Sequence, residues 1–166
     1  SMLHNRQYNI RRAKPLLGTI VDIDLYSDEL AENLLSELAT HAFKIVAQIQ
    51  ADMSFFEAQS DIGRLNASAP YSPISVSPDT YQVMQLALQI QRHSQAAFTI
   101  FSRSRAYSDP SIIKLEANNR IFKTSPVIVD LGGIAKGYAV DRAVEFLKQS
   151  NISGIVNAGG DMRFFG

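Results

Sequence analysis

The sequence predicts an α+β fold with a mostly antiparallel sheet and packed helices. Two observations carry this. Segments of period-two and helical-period apolar patterning follow each other in the order β-α-loop-α-β-β-β-α-β, and the run of strands in the middle has turn residues rather than helices between them. The same order allows one β-α-β unit near the C-terminal end. With 166 residues, 46% apolar and 19% charged, the chain has the size and composition of one folded domain with a real core.

Taken in order, residues 1–14 read as an N-terminal tail, with Ser1 ahead of Met2 as a cloning scar, and 15–166 as a single domain. "PLLGTIVDIDLY" (15–26) alternates apolar and polar residues from Thr19, as a half-buried strand does. Residues 27–52 put Leu30, Leu34, Leu38, Phe43 and Ile49 on a helical stripe, with Ser27 and Asp28 as caps and acids in the first turn. Residues 53–68 lack periodicity and read as a loop with a short helical turn. Residues 76–94 carry Ser77 as N-cap and Pro78 at the first helical position, followed by Val83, Leu86, Leu88 and Ile90 as a packed face. "IIKLEANNRIFKT" (112–124) reads as a hairpin whose Asn118-Asn119 turn adopts positive φ. A buried strand at 125–131, a helix at 135–150 and a strand at 154–159 complete the chain.

Composition narrows the function classes. Sixteen Lys+Arg balance sixteen Asp+Glu, so no basic excess points to nucleic acid, and none is expected as a partner. The absence of cysteine removes disulfides, thiolate zinc sites and a cysteine nucleophile. No apolar run reaches about 18 residues, and "SMLHNRQYNIRR" lacks an apolar signal region. The three histidines, His4, His41 and His93, fall in the tail and on two packed helices, where ordinary surface or core roles are the commoner ones. No catalytic residue is assigned.

"VDLGGIAKGYAVDRA" (129–143) holds the chemistry-bearing pattern. A strand followed by Gly132-Gly133 and a helix exposes backbone N–H groups where a helix N-terminus favours an anion, and Lys136 adds a full charge within the first turn. The spacing matches neither a Walker loop nor G-x-G-x-x-G, and glycine at such a junction also serves close packing. "VNAGGDMRFFG" (156–166) repeats the strand-then-Gly-Gly pattern. If the two strands flank the helix as neighbours, both turns face one crevice, as a nucleotide pyrophosphate needs. Asp161 then reads either as a ribose acceptor or as a cap.

"DLGGIAKGYAVDRA" followed by "IVNAGGDM" resembles the signature of the ApbE-like FAD:protein FMN transferases. Three more segments fall in the family's order. "LLGT" (16–19) resembles its M-G-T element, "MSFFEAQSDIGRLN" (53–66) its S-x-Y…S-E-x-x-x-L-N segment, and "QAAFTI" (95–100) its G-A-F-D-I element. The resemblance implies an ApbE-like (T-fold-like) fold, incomplete relative to the full family fold. It also implies a Mg²⁺-dependent transfer of FMN from FAD, as substrate, to a Thr or Ser hydroxyl of a target flavoprotein.

Carried over by position, flavin contacts fall on Leu17, Phe56 and the Ala97-Phe98-Thr99 segment. Lys136 approaches the phosphates, the Ala135 carbonyl is one magnesium ligand, and Gly132, Gly133, Asp141, Asn157, Gly159 and Gly160 line or brace the site. The chain departs from the pattern at Leu17 for methionine, Phe56 for tyrosine, Asp61 for glutamate and Thr99 for aspartate. The segment after Ile100 is shorter than usual. The family's later histidine segment and the Asp and Thr that complete its magnesium site are not matched. The expectation is therefore a family member inactive as this chain alone, with an FAD-binding module or a dimerising fragment as the alternatives, and self-association in each case. The family's usual placement, a periplasmic or inner-membrane lipoprotein, stands against a cytoplasmic one if the N-terminus shown is native.

Overall fold

A two-residue turn at Leu17-Gly18, with φ of +57° and +70°, folds the first two strands onto each other. The computed structural model describes residues 7–94, 98–102 and 109–166. In chain order its elements begin with β1 (Tyr8–Leu16), β2 (Thr19–Ser27), α1 (Glu32–Met53), α2 (Asp61–Ala67), β3 (Ile74–Ser75) and α3 (Pro78–His93). Next come β4 (Phe101–Ser102), β5 (Ile113–Glu116), β6 (Arg120–Lys123), β7 (Ile128–Val129), α4 (Gly132–Leu147), β8 (Ser153–Ala158) and β9 (Asp161–Phe165). Two compact units emerge, Ser1–Gln50 with Lys136–Gly166, and Ala51–Ala135.

In the first unit the sheet order is β1-β2-β8-β9, with every pair antiparallel. The period-two pattern of β2 sends Val21, Ile23 and Leu25 into the core, where no solvent reaches them. Asp22 and Asp24 take the other face, where Arg11 lies 4.0 and 3.5 Å from their carboxylates. Val156 and Ala158 of β8 are also buried, as are Leu35, Ala39, Phe43 and Val46 of α1 and Ala139, Val140, Ala143 and Leu147 of α4. Each fully buried large aliphatic side chain contributes about 1.5–3 kcal/mol.

The stripe predicted for the first helix is rotated: Leu34 is exposed and Leu35 is buried. Small Ala39 and Ala42 flank Phe43 on the true core face, so size rather than hydropathy alone sets which side is inside. Ser27 caps the turn after β2 rather than α1, its Oγ accepting from the Glu29 and Leu30 N–H groups at 3.0 and 2.8 Å.

Residues 8–14, read from sequence as tail, form most of β1. The basic residues that hide its period are structural. Arg12 lies 5.4 Å from the centre of the Phe43 ring and donates to the Ser36 carbonyl at 2.8 Å, while Lys14 lies 5.5 Å from the same ring. Long cationic side chains pack through their stems and keep their charge near solvent, which a hydropathy pattern does not register.

The second unit is a contiguous segment. Ser60 caps α2, accepting from the Gly63 N–H at 2.8 Å, and Ser77 caps α3 with Pro78 in the first turn, as the sequence predicts for that helix. The core face of α3 is Val83, Met84, Ala87 and Leu88, whereas Leu86 and Ile90, expected inside, are exposed. The predicted hairpin is β5–β6, with Asn118 and Asn119 at φ +63° and +56°; β3 adds a third strand next to β6.

The predicted strand at 125–131 reduces to the two residues of β7, paired antiparallel with β4. Because β8 has β2 on one side and β9 on the other, β7 and β8 are not neighbours, and no β-α-β unit forms among the described residues. The expectation of two glycine turns at one sheet edge is corrected accordingly. The fold is α+β with antiparallel ladders throughout the described residues, as predicted. No described helix is long and apolar enough to cross a membrane.

Candidate functional site

In the first unit, several of the singled-out residues converge at the end of the sheet where β2 starts and β8 stops. Gly159-Gly160 is not an open strand-end loop but the two-residue turn of the β8–β9 hairpin, with φ of +54° and +102°. Such a turn needs positive φ at both positions, which glycine adopts without penalty. A Cβ on Gly159 would lie 2.7 Å from Thr19 Oγ1 and 3.1 Å from Lys136 Nζ, so a side chain there would force both to shift as well as strain the backbone.

Lys136 Nζ sits 3.4 Å from the Gly159 carbonyl oxygen and 3.9 Å from Asp161 Oδ2. Asn157 Oδ1 accepts from the Gly160 N–H at 3.1 Å, which fixes the turn. The corner therefore gathers one ammonium, one carboxylate, a hydroxyl and a tight glycine turn. Leu17 lies in the β1–β2 turn at the same end of the sheet, its N–H bonded to the side-chain carbonyl of Gln50. A non-glycine residue in left-handed geometry is sparsely populated and persists where neighbours hold it.

Asp141 has a different partner. Its Oδ1 accepts from Arg163 Nε at 2.8 Å, linking α4 to β9.

In the second unit, Phe98 and Thr99 line a cleft of about 270 Å³ together with Ile100, Asp130, Leu131 and Gly133. The segment is held from α3: buried Gln91 accepts from the Ile100 N–H at 2.8 Å, and the Ile100 carbonyl accepts from Asp130 N–H at 2.8 Å. Gly132 and Gly133 are the first residues of α4 rather than a loop before it, and Asp130 Oδ1 accepts from the Gly132 N–H at 2.9 Å. Ala135 is buried within the same helix. Phe56 stands 91% exposed in the loop before α2, edge-on to Phe55 with ring centres 5.2 Å apart. Ala97 lies outside the described residues.

Three polar residues that sequence reasoning did not single out as structural hold the second unit together. Asp61 is buried and accepts from the Ser77 N–H at 2.9 Å, Thr80 Oγ1 at 2.7 Å and Arg64. Asn66 pairs with β7 as a strand would, donating to the Val129 carbonyl at 2.9 Å and accepting from its N–H at 2.8 Å. Lys123 is buried, donating to the Asn66 and Val127 carbonyls at 2.9 and 3.1 Å, and desolvation pushes its pKa below the ordinary lysine value. The signal for Asp61 was its place four residues before Leu65-Asn66 in a matched segment; Lys123 looks like any strand lysine. His41 is exposed and stacks on Phe146 at 4.3 Å, and His93 is exposed at the end of α3. His4 lies outside the described residues.

A family model described as the ApbE family matches residues 17–108 and 101–166. The chain is 24% identical over 191 residues to the FAD:protein FMN transferase of Klebsiella pneumoniae (strain 342), an alignment covering 99% of this chain and 58% of that protein. The fold matches the crystal structure of the ApbE protein from Thermotoga maritima with a TM-score of 0.83 and 25% identity, over 95% of this chain and 59% of that one. It matches the flavin transferase ApbE from Vibrio cholerae with a TM-score of 0.84 and 21% identity, over 96% and 60%. The chain thus spans 58% to 60% of the length of these three proteins.

Proposed function

The chain belongs to the ApbE family, and from that premise we propose that it recognises FAD and serves the transfer of FMN from FAD to a target flavoprotein. In that reaction a Thr or Ser hydroxyl oxygen of the target bonds to the FMN-side phosphorus and loses its proton. The phosphoanhydride bond breaks and AMP leaves. Positioning and charge neutralisation carry most of such chemistry.

The observation that carries the reading is the Lys136 corner, where an ammonium lies 3.4 Å from the carbonyl of a positive-φ glycine turn. Lys136 neutralises phosphate charge there, Asn157, Gly159 and Gly160 set the turn, and Leu17 presents an apolar side chain at the same end of the sheet. Asp141 acts through Arg163, keeping β9 against α4. In the second unit, the cleft beside Phe98 and Thr99 and the exposed Phe56 ring offer apolar surface of the kind a flavin ring contacts, with Ala97 in the same segment. Gly132 and Gly133 keep the start of α4 free of side chains.

Magnesium, which the resemblance implies, fits the residues present poorly. The ion wants near-octahedral oxygen coordination and usually takes carboxylates. Ala135 offers one backbone carbonyl, and among the described residues no three His, Cys, Asp or Glu side chains converge on a point. Exposed Met162 and Phe164, the latter 71% exposed on β9, support the expectation of self-association, which sedimentation over a concentration series measures.

Calorimetry of the full chain with FAD and Mg²⁺ tests the binding half. Weak binding is expected, and Lys136→Gln should weaken it about tenfold, the scale of one charge-assisted hydrogen bond. Sub-micromolar binding indifferent to that substitution would overturn the assignment. Mass spectrometry of an acceptor-motif protein incubated with FAD and the chain tests the transfer half. FAD binding with no FMN gain identifies the alternative, a flavin-binding module.

A further inference from the structure

We propose that Asp161 is an internal stand-in for a ligand phosphate: its carboxylate occupies the Lys136 ammonium until a polyanion displaces it. This rests on the reading of the corner as a phosphate site and adds an internal competitor to it. Lys136 Nζ is 3.9 Å from Asp161 Oδ2 and 3.4 Å from the Gly159 carbonyl oxygen. Both exceed the ~2.7–2.9 Å of a tight ammonium–carboxylate bond, so the ammonium is occupied without being locked.

The pair can open without unpacking. The side chains of Lys136 and Asp161 keep 30% and 46% of their surface in solvent, and neither belongs to the buried core. The backbone around them is set. Asp161 is the first residue of β9, paired with Ala158 across a turn that the Asn157–Gly160 hydrogen bond pins at 3.1 Å. That bond also occupies the Gly160 N–H, so a second donor at the corner already has an acceptor of the chain.

A carboxylate beside a cation repels an incoming anion. A ligand that brings little more charge than it displaces gains little by exchange. A pyrophosphate brings more charge and several oxygens, so it replaces the carboxylate and still has acceptors left for other donors. The stand-in thus raises the intrinsic affinity any anion needs in order to bind, a threshold that a multidentate polyanion meets most readily, and keeps the ammonium satisfied when no ligand is bound.

Titration of the full chain with inorganic pyrophosphate and with orthophosphate, followed by calorimetry, tests this in the wild type, Asp161→Asn, Lys136→Gln and the double variant. Asp161→Asn should tighten pyrophosphate binding about two- to fivefold, the scale of a partly exposed ion pair, and tighten orthophosphate binding by a similar factor. In the Lys136→Gln background the gain should vanish. Asp161→Ser, with unfolding midpoints measured for all variants, separates loss of charge from loss of fold. Unchanged or weaker binding in folded Asp161→Asn and Asp161→Ser overturns the proposal, as does a gain that persists without Lys136. If Lys136→Gln weakens binding while neither Asp161 variant tightens it, only the stand-in role falls. If Lys136→Gln has no effect, or no variant binds pyrophosphate, the phosphate reading falls with it.

Discussion

At the scale of single residues, the second unit depends on Asp61 more than its position in a matched segment suggested. Its carboxylate, itself buried, collects the Ser77 N–H that opens α3, the buried Thr80 hydroxyl and the half-buried Arg64. Removing it leaves the buried Thr80 hydroxyl and the part-buried Ser77 N–H without this acceptor, so Asp61→Ala should cost about 2–4 kcal/mol and Asp61→Asn, which keeps one acceptor oxygen, clearly less. Urea unfolding with an unchanged slope checks this, and a loss under about 1 kcal/mol for Asp61→Ala would sink it. Both of its oxygens are engaged, Oδ2 with the start of α3 and Oδ1 with Arg64 of its own helix.

Individual elements divide by how local their causes are. Helix α3 and the β5–β6 hairpin were legible because Ser77-Pro78 and Asn118-Asn119 act within a few residues of themselves. Strands β1 and β9 were not, and β7 was legible as a strand but not in its two-residue extent. Basic side chains mask the buried stems of β1, β9 follows a Gly-Gly pair that also fits a ligand loop, and β7 takes its second partner from a side chain. Of the candidate site, Lys136, Asn157, Gly159 and Gly160 were legible as a group, whereas Thr19 was not, because only the β2–β8 ladder brings it to the turn. The side-chain ladder on β7 carries its own test. Asn66→Ala should orphan both backbone groups of Val129 and destabilise the unit by about 2–3 kcal/mol. Amide exchange should rise at Val129 well before it rises in β5 and β6; equal protection in the variant would count against the pairing.

Over the whole molecule, Lys123 makes stability depend on pH. Burial lowers its pKa in the folded chain from the ordinary value of 10.5, so the folded state gives up its proton first as pH rises. Between the lowered value and 10.5 the unfolded chain binds more protons, and stability climbs with pH across that window; below it the full penalty of a buried ammonium remains. The urea midpoint of the wild type relative to Lys123→Met should therefore rise from neutral pH towards pH 10. A difference that stays flat or falls would exclude this account.

The split of the chain into units also bears on how a growing polypeptide acquires its structure. The second unit is one uninterrupted stretch, whereas β2 waits for β8, which is translated only after that whole stretch. A nascent chain therefore carries the β1–β2 hairpin with the β2 edge still lacking β8 while residues 51–135 are made. Closing that long span is the slow, entropically costly step, and the waiting hairpin is the segment most exposed to mispairing or to a chaperone. Pulse-labelled amide exchange should find the amides of α2, α3, β5 and β6 protected before those of the β2–β8 ladder; the reverse order would contradict it.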